Sequence, residues 1–564
     1  MFSFNLIDSK WIPCILPDGE REELSIKETF ERTSEIQEIF DPSPLVMVAI
    51  HRLLLAILHR NFGPANETEW AKLWNDGKGN WDKAKLTTYL DKWHSRFDLL
   101  NEKYPFYQCA SLTSAVTNKS EPISIGNLLH ESAIYLGKAT LFDHDTDDVI
   151  LGISPAKATR LLLAFQCFVL GGYSGLSKPR LKGEESAKAA PLTKGATCLM
   201  RGRNLFESLM LNLCAYNKGD ERPFHAEKDD KPAWEKDDET KPEDRNLNGY
   251  FDLLTWQSRR IKFLAEADGT GEPIIRNVLI RKGNQFPDSY SLHDKEPMLT
   301  FLKAKQGNDP WPPLKFQEEK TIWRDSLILF QSVEDKNARP KILEWLNDLV
   351  EDNLLPAFAV YNMDVVGMIS DQASILLWRH ERLPLPLKYL EEKNENLLGK
   401  LRDALEVAES VGRLLGSGFV EIEITDKKGK RKKLSVPGPL RILASIILKP
   451  DEPEKADKDA VRSLVDSLSP SRPYWAQLGI SFNELVTQLP GDKTGENEYG
   501  KTVLPWWADK VRQAAWAAFN ETTGSLDRTA RMLKAVTLAE DSFNNHLNRI
   551  LKPYLNTEKK GGGK

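Results

Sequence analysis

The chain has 564 residues, 41% of them hydrophobic, enough to bury large cores and too many for a single domain to be expected. Its 82 acidic residues outnumber its 77 basic ones, and the formal net charge is −5. That balance excludes a bulk polyanion binder and leaves any nucleic-acid contact to local basic patches. Five cysteines, Cys14, Cys109, Cys167, Cys198 and Cys214, stand far apart with no CxxC among them. Reduced thiols are therefore expected, in a soluble cytoplasmic protein, rather than a disulfide framework or a zinc clip. The start, "MFSFNLIDSKWIP", lacks the basic opening and long apolar run of a signal peptide, and no uninterrupted apolar stretch reaches the ~18 residues of a spanning helix.

In chain order, "FNLIDSKWIPCIL" alternates well enough to predict a strand pair turning at Asp8 to Lys10. Ser43 to Arg60, "SPLVMVAIHRLLLAILHR", is apolar nearly all round and predicts a buried helix started by Asp41-Pro42. His51 and His59 on it read as packing or surface histidines rather than ligands. A second apolar run, "TRLLLAFQCFVL", leads into "GGYSG", Gly171 to Gly175. Glycines there permit positive φ and close approach to another molecule, and seven basic against two acidic residues follow between Leu176 and Arg203. Lys218 to Arg245 is dense in Asp, Glu, Lys and Pro, so a mobile surface excursion without a core is expected. From Asn246 to Gln317 the pattern is strand-like, most clearly in "PIIRNVLIRKGNQF".

The character changes near Pro386. Leu398, Leu401, Leu405, Ala408, Gly412 and Leu415 recur at helical steps, as do Trp507, Val511, Ala515 and Ala518. A third stripe is Leu526, Ala530, Leu533, Val536, Phe543 and Leu547. "PGPLRILASIIL", "DAVRSLVDSL" and "SFNELVTQL" add further helices, and such stripes bury best against one another as a bundle. "FVEIEIT" and "LSVPG" flank a tip with six basic residues among the seven from Lys427 to Lys433, which predicts a hairpin with a solvated or phosphate-contacting tip. The fold class is thus α+β: a mixed domain over 1–390, a helical bundle over 391–556 and a disordered tail over 557–564.

No GxxxxGK[ST], GxSxG or HExxH occurs. Asp143 to Asp148, "DHDTDD", is the best metal-like cluster, since its carboxylates could hold a hard divalent ion in a nuclease, though no EF-hand glycine or glutamate completes it. "RHER", Arg379 to Arg382, sets a histidine between cations with no nucleophile nearby in sequence. Between Ser370 and Glu381, "SDQASILLWRHE", cap-forming Ser370 and Asp371 precede apolar residues and predict a helix start.

Several of these stretches occur together in order: "NLIDSKWIP", "PFYQ" at Pro105, "ATLFDHD" at Ala139, "GGYSG", "MRGRNLFESLMLNL" at Met200, "TWQ" at Thr255 and "DQASI" at Asp371. The combination resembles the large subunit of the type I-E CRISPR surveillance complex, Cascade, over nearly the whole chain. The resemblance implies an α+β body with a C-terminal four-helix bundle and no catalytic site or cofactor. It implies recognition of the short protospacer-adjacent motif (PAM) on double-stranded DNA through the minor groove, duplex opening for guide RNA pairing, and recruitment of a helicase-nuclease. Gln372, Ala373 and Ser374 match the family's wedge beside the last PAM pair. Gly171, Gly172, Tyr173, Ser174 and Gly175 match its glycine loop, and Lys282 its lysine finger, with Arg281 adjacent. Phe142 and His144 match the loop that docks on the guide RNA and the neighbouring subunit. "AEADGTGEP" lacks the cysteines of some relatives' zinc clip, so no metal is implied, and "LSKPRLKGEESAKAAPL" is an insertion after the glycine loop.

Overall fold

A computed structural model describes the chain except residues 1, 77–80, 113–120, 129–151, 173–175, 179–181, 217–228, 308, 334–335, 372–373, 426–430, 494–498 and 556–564. It divides into two compact units, one of residues 1–318 and 328–383, the other of 319–327 and 384–564. The first mixes helices with small sheets, and the second is mainly helical.

The first unit opens on an antiparallel sheet ordered β2-β1-β3, from β1 (Ile12–Ile15), β2 (Arg21–Leu24) and β3 (Glu38–Ile39), with α1 (Ile26–Glu31) between its last two strands. The expected N-terminal strand pair does not form. A turn does follow Asn5, but Asn5 bridges to Asp98 and β1 takes β2 and β3 as partners instead. α2 (Pro44–Phe62) is the helix expected from its apolar run. It is the one helix among the described residues long and apolar enough to cross a membrane, yet 83% of its apolar window is buried inside the protein. His51 and His59 are core residues on it, and burial pushes both imidazoles down to about 3, so they pack as neutral rings.

α3 (Glu67–Asp76), α4 (Lys83–Trp93), β4 (Ile123–Ser124) and α5 (Pro155–Phe168) follow, with α5 packed on α2. Then come β5 (Thr197–Arg201), α6 (Leu205–Leu211) and α7 (Tyr250–Leu254). β6 (Arg259–Ala267) and β7 (Pro273–Lys282) form a long hairpin where the strand-like pattern predicted it, in a sheet ordered β4-β7-β6. β8 (Phe301–Leu302), α8 (Ser326–Phe330), β9 (Asn337–Ala338) and α9 (Lys341–Glu351) lead to two long strands, β10 (Val360–Asp371) and β11 (Ser374–Pro386), in a sheet ordered β11-β10-β5. The five cysteines are free thiols.

Of the acidic segment Lys218 to Arg245, residues 218–228 lie outside the described ones, and the rest departs from expectation. Residues 229–245 are not a loose excursion but are packed into the first unit. Trp234 is buried beside Phe97 at 5.1 Å, and its Nε1 donates to the Tyr89 hydroxyl. The buried Asp230 carboxylate accepts from the Phe251 and Asp252 amides, both at 3.0 Å, in the first turn of α7. Glu235 takes a two-pronged contact from Arg60, at 2.8 Å each. Each buried acid has a cation or a helix N-terminus against it, which is the condition for burying charge.

In the second unit, α10 (Glu395–Gly412) is followed by the hairpin β12 (Phe419–Thr425) and β13 (Arg431–Pro437). This is the hairpin expected around the basic tip, whose residues 426–430 lie outside the described ones. α11 (Pro439–Leu448), α12 (Lys458–Leu468), α13 (Ser471–Gln488), α14 (Val503–Gly524) and α15 (Ala530–Leu555) complete it. α10 and α14 each pack on α13, α15 and one another, and α11 packs on α15 and α12. Trp507 Nε1 donates to the Ala404 carbonyl and the Tyr474 hydroxyl to that of Ala408, both at 2.8 Å, so the helices are joined by satisfied aromatic donors as well as by apolar stripes. Residues 319–327 join this unit through Trp323, stacked on Phe482 at 4.5 Å, and Arg324, which clamps Glu409 at 2.7 and 2.9 Å. The third predicted stripe holds at Phe543 and Leu547 and is corrected before them: α15 buries Ala535, Ala539, Phe543, Leu547 and Leu551, while Leu533 is 54% exposed. The buried residues step by four, so the contact line drifts off the first turns that a three-and-four pattern would cover.

Candidate nucleic-acid interface

The glycine segment is placed by α5. The chain leaves that helix at Phe168 and reaches Gly171 and Gly172, where Gly172 takes φ +115°, a conformation that favours glycine. Gly172 exchanges backbone hydrogen bonds with Ala187 at 2.8 and 2.9 Å. A Cβ on Gly171 would stand 3.0 Å from the Ala189 amide nitrogen, so two backbones lie directly against each other here. Tyr173, Ser174 and Gly175 lie outside the described residues.

Next along this second segment, Lys188 reaches the Phe286 carbonyl at 2.6 Å, Asp288 at 2.9 Å and Asp244 at 3.3 Å. Asp244 also holds Lys282, the last residue of β7, with Nζ at 3.6 Å and the lysine side chain 19% exposed. Lys282 and the glycine segment are therefore joined through one carboxylate and one ammonium. Arg281, its neighbour in β7, is buried like Val278, Leu279 and Ile280 before it, so this end of the strand is covered on both faces.

"SDQASILLWRHE" does not start a helix. β10 ends at Asp371 and Ser374 opens β11, so Gln372 and Ala373, which lie outside the described residues, connect two neighbouring strands. Gly367 lets β10 lie close to its surroundings, because a Cβ there would meet the Gly195 carbonyl oxygen at 2.7 Å and the Phe316 ring at 2.9 Å.

Farther down the same strands is a buried ionic knot. Asp364 of β10 accepts from Arg201 of β5, from Arg382 of β11 at 2.7 Å and from His380 of β11 at 2.9 Å. Arg382 and Arg201 also reach Glu38 of β3, at 2.9 and 3.4 Å. "RHER" thus has ion-pair partners on two other strands, β10 and β3, which it shares with Arg201 of β5, and His380 stands beside a carboxylate that the sequence neighbourhood did not reveal. Burial alone would raise the Asp364 carboxyl, but the His380 hydrogen bond and the Arg201 and Arg382 charges outweigh it and hold it well below the usual carboxylate range. A group depressed on folding contributes stability that is present above its unfolded pKa, about 4, and lost as pH falls through its lower folded value. The gap in unfolding midpoint between wild type and Asp364→Asn is therefore expected to be constant from pH 7 to 5 and to shrink steadily below pH 4. A gap that stayed unchanged at pH 3 would contradict this.

Between these parts lies a cavity of about 850 Å³. Gly171, Gly172 and Lys188 line one side and Met368, Ile369 and Ser370, the approach of β10 to the connection, line another. Trp311 and Phe316 form part of its wall, and Lys194 and Lys315 also line it. Residues 171–172 and 368–370 are some two hundred positions apart in sequence, yet they border one opening. The cavity wall escaped the sequence reading, although "PWPPLK" at Pro310 to Lys315 offers an aromatic and a cation in a stretch that prolines hold out of regular structure.

Phe142, His144 and the Asp143 to Asp148 cluster lie outside the described residues. Among the described residues no group of three or more His, Cys, Asp or Glu side chains is arranged to hold a metal ion.

A family model described as CRISPR-associated protein Cse1 matches residues 5–518. CRISPR-associated protein CasA/Cse1 of Thermus thermophilus is 30% identical over 556 residues, covering 97% of this chain and 98% of its own. Among solved structures, Thermobifida fusca Cse1 superposes with a TM-score of 0.78 at 23% identity over 98% of both chains. A chain of a structure described as a CRISPR RNA-guided surveillance complex does so with 0.70 at 19% identity, over 96% of this chain and 99% of that one. With a family match over most of its length and a full-length relative at this identity, the chain belongs to the CRISPR-associated protein Cse1 family.

Proposed function

We propose that the chain is the non-catalytic, DNA-recognising subunit of a guide-RNA surveillance complex. It reads the PAM on duplex DNA from the minor groove, begins strand separation beside it and provides a landing site for a helicase-nuclease. Membership of the Cse1 family and the likeness to a chain of a CRISPR RNA-guided surveillance complex support its place with guide RNA and other Cascade subunits. The observation that carries the DNA reading is the common opening bordered by Gly171 and Gly172 and by the end of β10, two residues before Gln372. A glycine turn can enter a groove where only main chain fits, and the A·T and T·A pairs there present the same acceptors, so reading is permissive. An amide-tipped side chain in the stretch that joins β10 to β11 separates a base step at a cost of a few kcal/mol that guide pairing then offsets.

Lys282 supplies the cation for the minor-groove acceptors, and its ammonium leaves Asp244 to do so. In the assembled complex, Lys282→Ala is expected to weaken binding of PAM-containing duplex roughly tenfold, in line with loss of one charge-assisted hydrogen bond, and to leave binding of PAM-free duplex little changed. Titration of the two duplexes by electrophoretic mobility shift measures both. Equal affinity of wild type and variant for the PAM duplex would remove Lys282 from the reading.

A further inference from the structure

We propose that Asp244 is a specificity-determining residue: it holds the Lys282 ammonium away from duplex phosphate and reserves it for the neutral acceptors of the minor groove. This rests on the reading of Lys282 as the groove cation.

The carboxylate belongs to a built corner of the first unit. Asp244 and Gln285 form a short parallel bridge, in which the Gln285 amide donates to the Glu243 carbonyl and the Arg245 amide to the Gln285 carbonyl, both at 2.9 Å. Arg245 is fixed in turn by two hydrogen bonds to the buried Asp252, at 2.6 and 2.9 Å, with its guanidinium over the Trp256 ring at 4.4 Å. The Lys188 amide donates to the side chain of the same buried Gln285, and Arg260 Nε donates to the Lys282 carbonyl at 2.8 Å. The main chains at 188, 244 and 282 are thus pinned, and the side-chain ends are what can move.

Those ends form a charge-balanced cluster. Asp244 Oδ1 faces Lys282 Nζ at 3.6 Å and its Oδ2 faces Lys188 Nζ at 3.3 Å, while Asp288 stands 2.9 Å from Lys188. Two ammonium groups meet two carboxylates. Non-specific affinity for DNA comes from cations that neutralise phosphates, and a balanced cluster supplies little of it. Moving Lys282 onto a phosphate would also bring that anion up to the Asp244 carboxylate, and like charges repel. An A·T base edge is a neutral acceptor and escapes that repulsion. When Lys282 turns to it, Oδ2 keeps Lys188, so no carboxylate is stranded. The dependence is one-sided. Lys282 has a single ion pair among the described residues, whereas Lys188 keeps Asp288 and the Phe286 carbonyl, at 2.6 Å, whatever Asp244 does.

The test titrates PAM-containing and PAM-free duplexes against the assembled complex over a range of salt. Asp244→Asn keeps the shape and the main-chain bridge of a half-exposed residue. It is expected to raise affinity for PAM-free duplex about eightfold at 0.1 M salt and to steepen the salt slope by about 0.9, one added phosphate contact. Affinity for the PAM duplex is expected to change by less than about twofold, because so long a pair between partly exposed groups is parted easily. Asp244→Glu restores the wild-type ratio of the two affinities. Asp288→Asn makes the same change of charge but leaves Lys282 paired, and is expected to shift PAM-free affinity by less than about twofold. A wild-type ratio and slope for Asp244→Asn, an equal effect of Asp288→Asn, or an undiminished effect of Asp244→Asn in a Lys282→Ala background each overturns the proposal. If Lys282→Ala weakens PAM binding while Asp244→Asn behaves as wild type, this inference alone fails. If Lys282→Ala binds the PAM duplex as wild type does, the groove reading fails and this inference with it.

Discussion

Gln372→Ala in the assembled complex is expected to slow opening of PAM-containing duplex by about 10- to 100-fold while changing first contact by less than about twofold. The split follows from the proposed function, in which main chain and cations on the glycine and Lys282 side make the first contact and Gln372 acts only after the duplex is seated. Unstacking a base step costs a few kcal/mol, and a wedge that offsets 1.4 to 2.8 kcal/mol of it accounts for one to two decades in rate. Stopped-flow fluorescence from 2-aminopurine at the first guide-paired position reports opening, and fluorescence anisotropy of a labelled duplex reports contact. Equal losses in both signals would mean that the residue is an ordinary binding contact. No loss in either would remove the wedge altogether.

Asp364→Ala is expected to be the most damaging single change in the first unit, at ~3–5 kcal/mol, because it leaves Arg201, Arg382 and His380 facing each other without their shared carboxylate. Part of that cost falls on the buried Arg201 guanidinium, which keeps of its ion pairs only the longer one to Glu38 at 3.4 Å. Urea unfolding followed by tryptophan fluorescence should show the loss as a lower midpoint with the slope retained. The same knot ties β10 and β11 to β5 and β3, so near-native conditions should also reveal an opening defect beyond that caused by fewer folded molecules. An Asp364→Ala protein as stable as wild type would show that the cations find other partners.

Much of the architecture was legible because its signals are local. The run from Ser43 to Arg60 and the stripes around Leu401 and Trp507 announce helices whatever they pack against. The strands β10 and β11 were not legible in that way. Ser370 and Asp371 imitate a helix cap, while the features that settle the matter, pairing with β5 some 160 residues earlier and a carboxylate at position 364 opposite two arginines, are non-local. Pro384 and Pro386, which a helix interior would not tolerate, were the one local warning. The acidic segment misled for a related reason. Its composition averages away Trp234 and does not show that Arg60 waits for Glu235 or that the first turn of α7 waits for Asp230. Likewise nothing in "EKTIWRDSL" marks it as part of the helical unit, since its attachment depends on what Trp323 and Arg324 meet. Of the site, the glycines, Lys282 and Gln372 came from order and resemblance. The cavity that the glycines and β10 share came only from folding the chain.

The paired main-chain bonds between Gly172 and Ala187 make the intervening stretch a closed side-branch whose base is clamped. Within it Ser177 is buried and exchanges hydrogen bonds with Ile280 of β7 at 2.9 and 3.0 Å. Because the entropy of closing a loop grows only with the logarithm of its length, residues can be added between Ser177 and Ala187 at little cost while these anchored positions stay where they are. On the proposed function, lineages, or engineers, seeking a different tolerance for flanking DNA have there a place to lengthen the chain without recasting the strands around it.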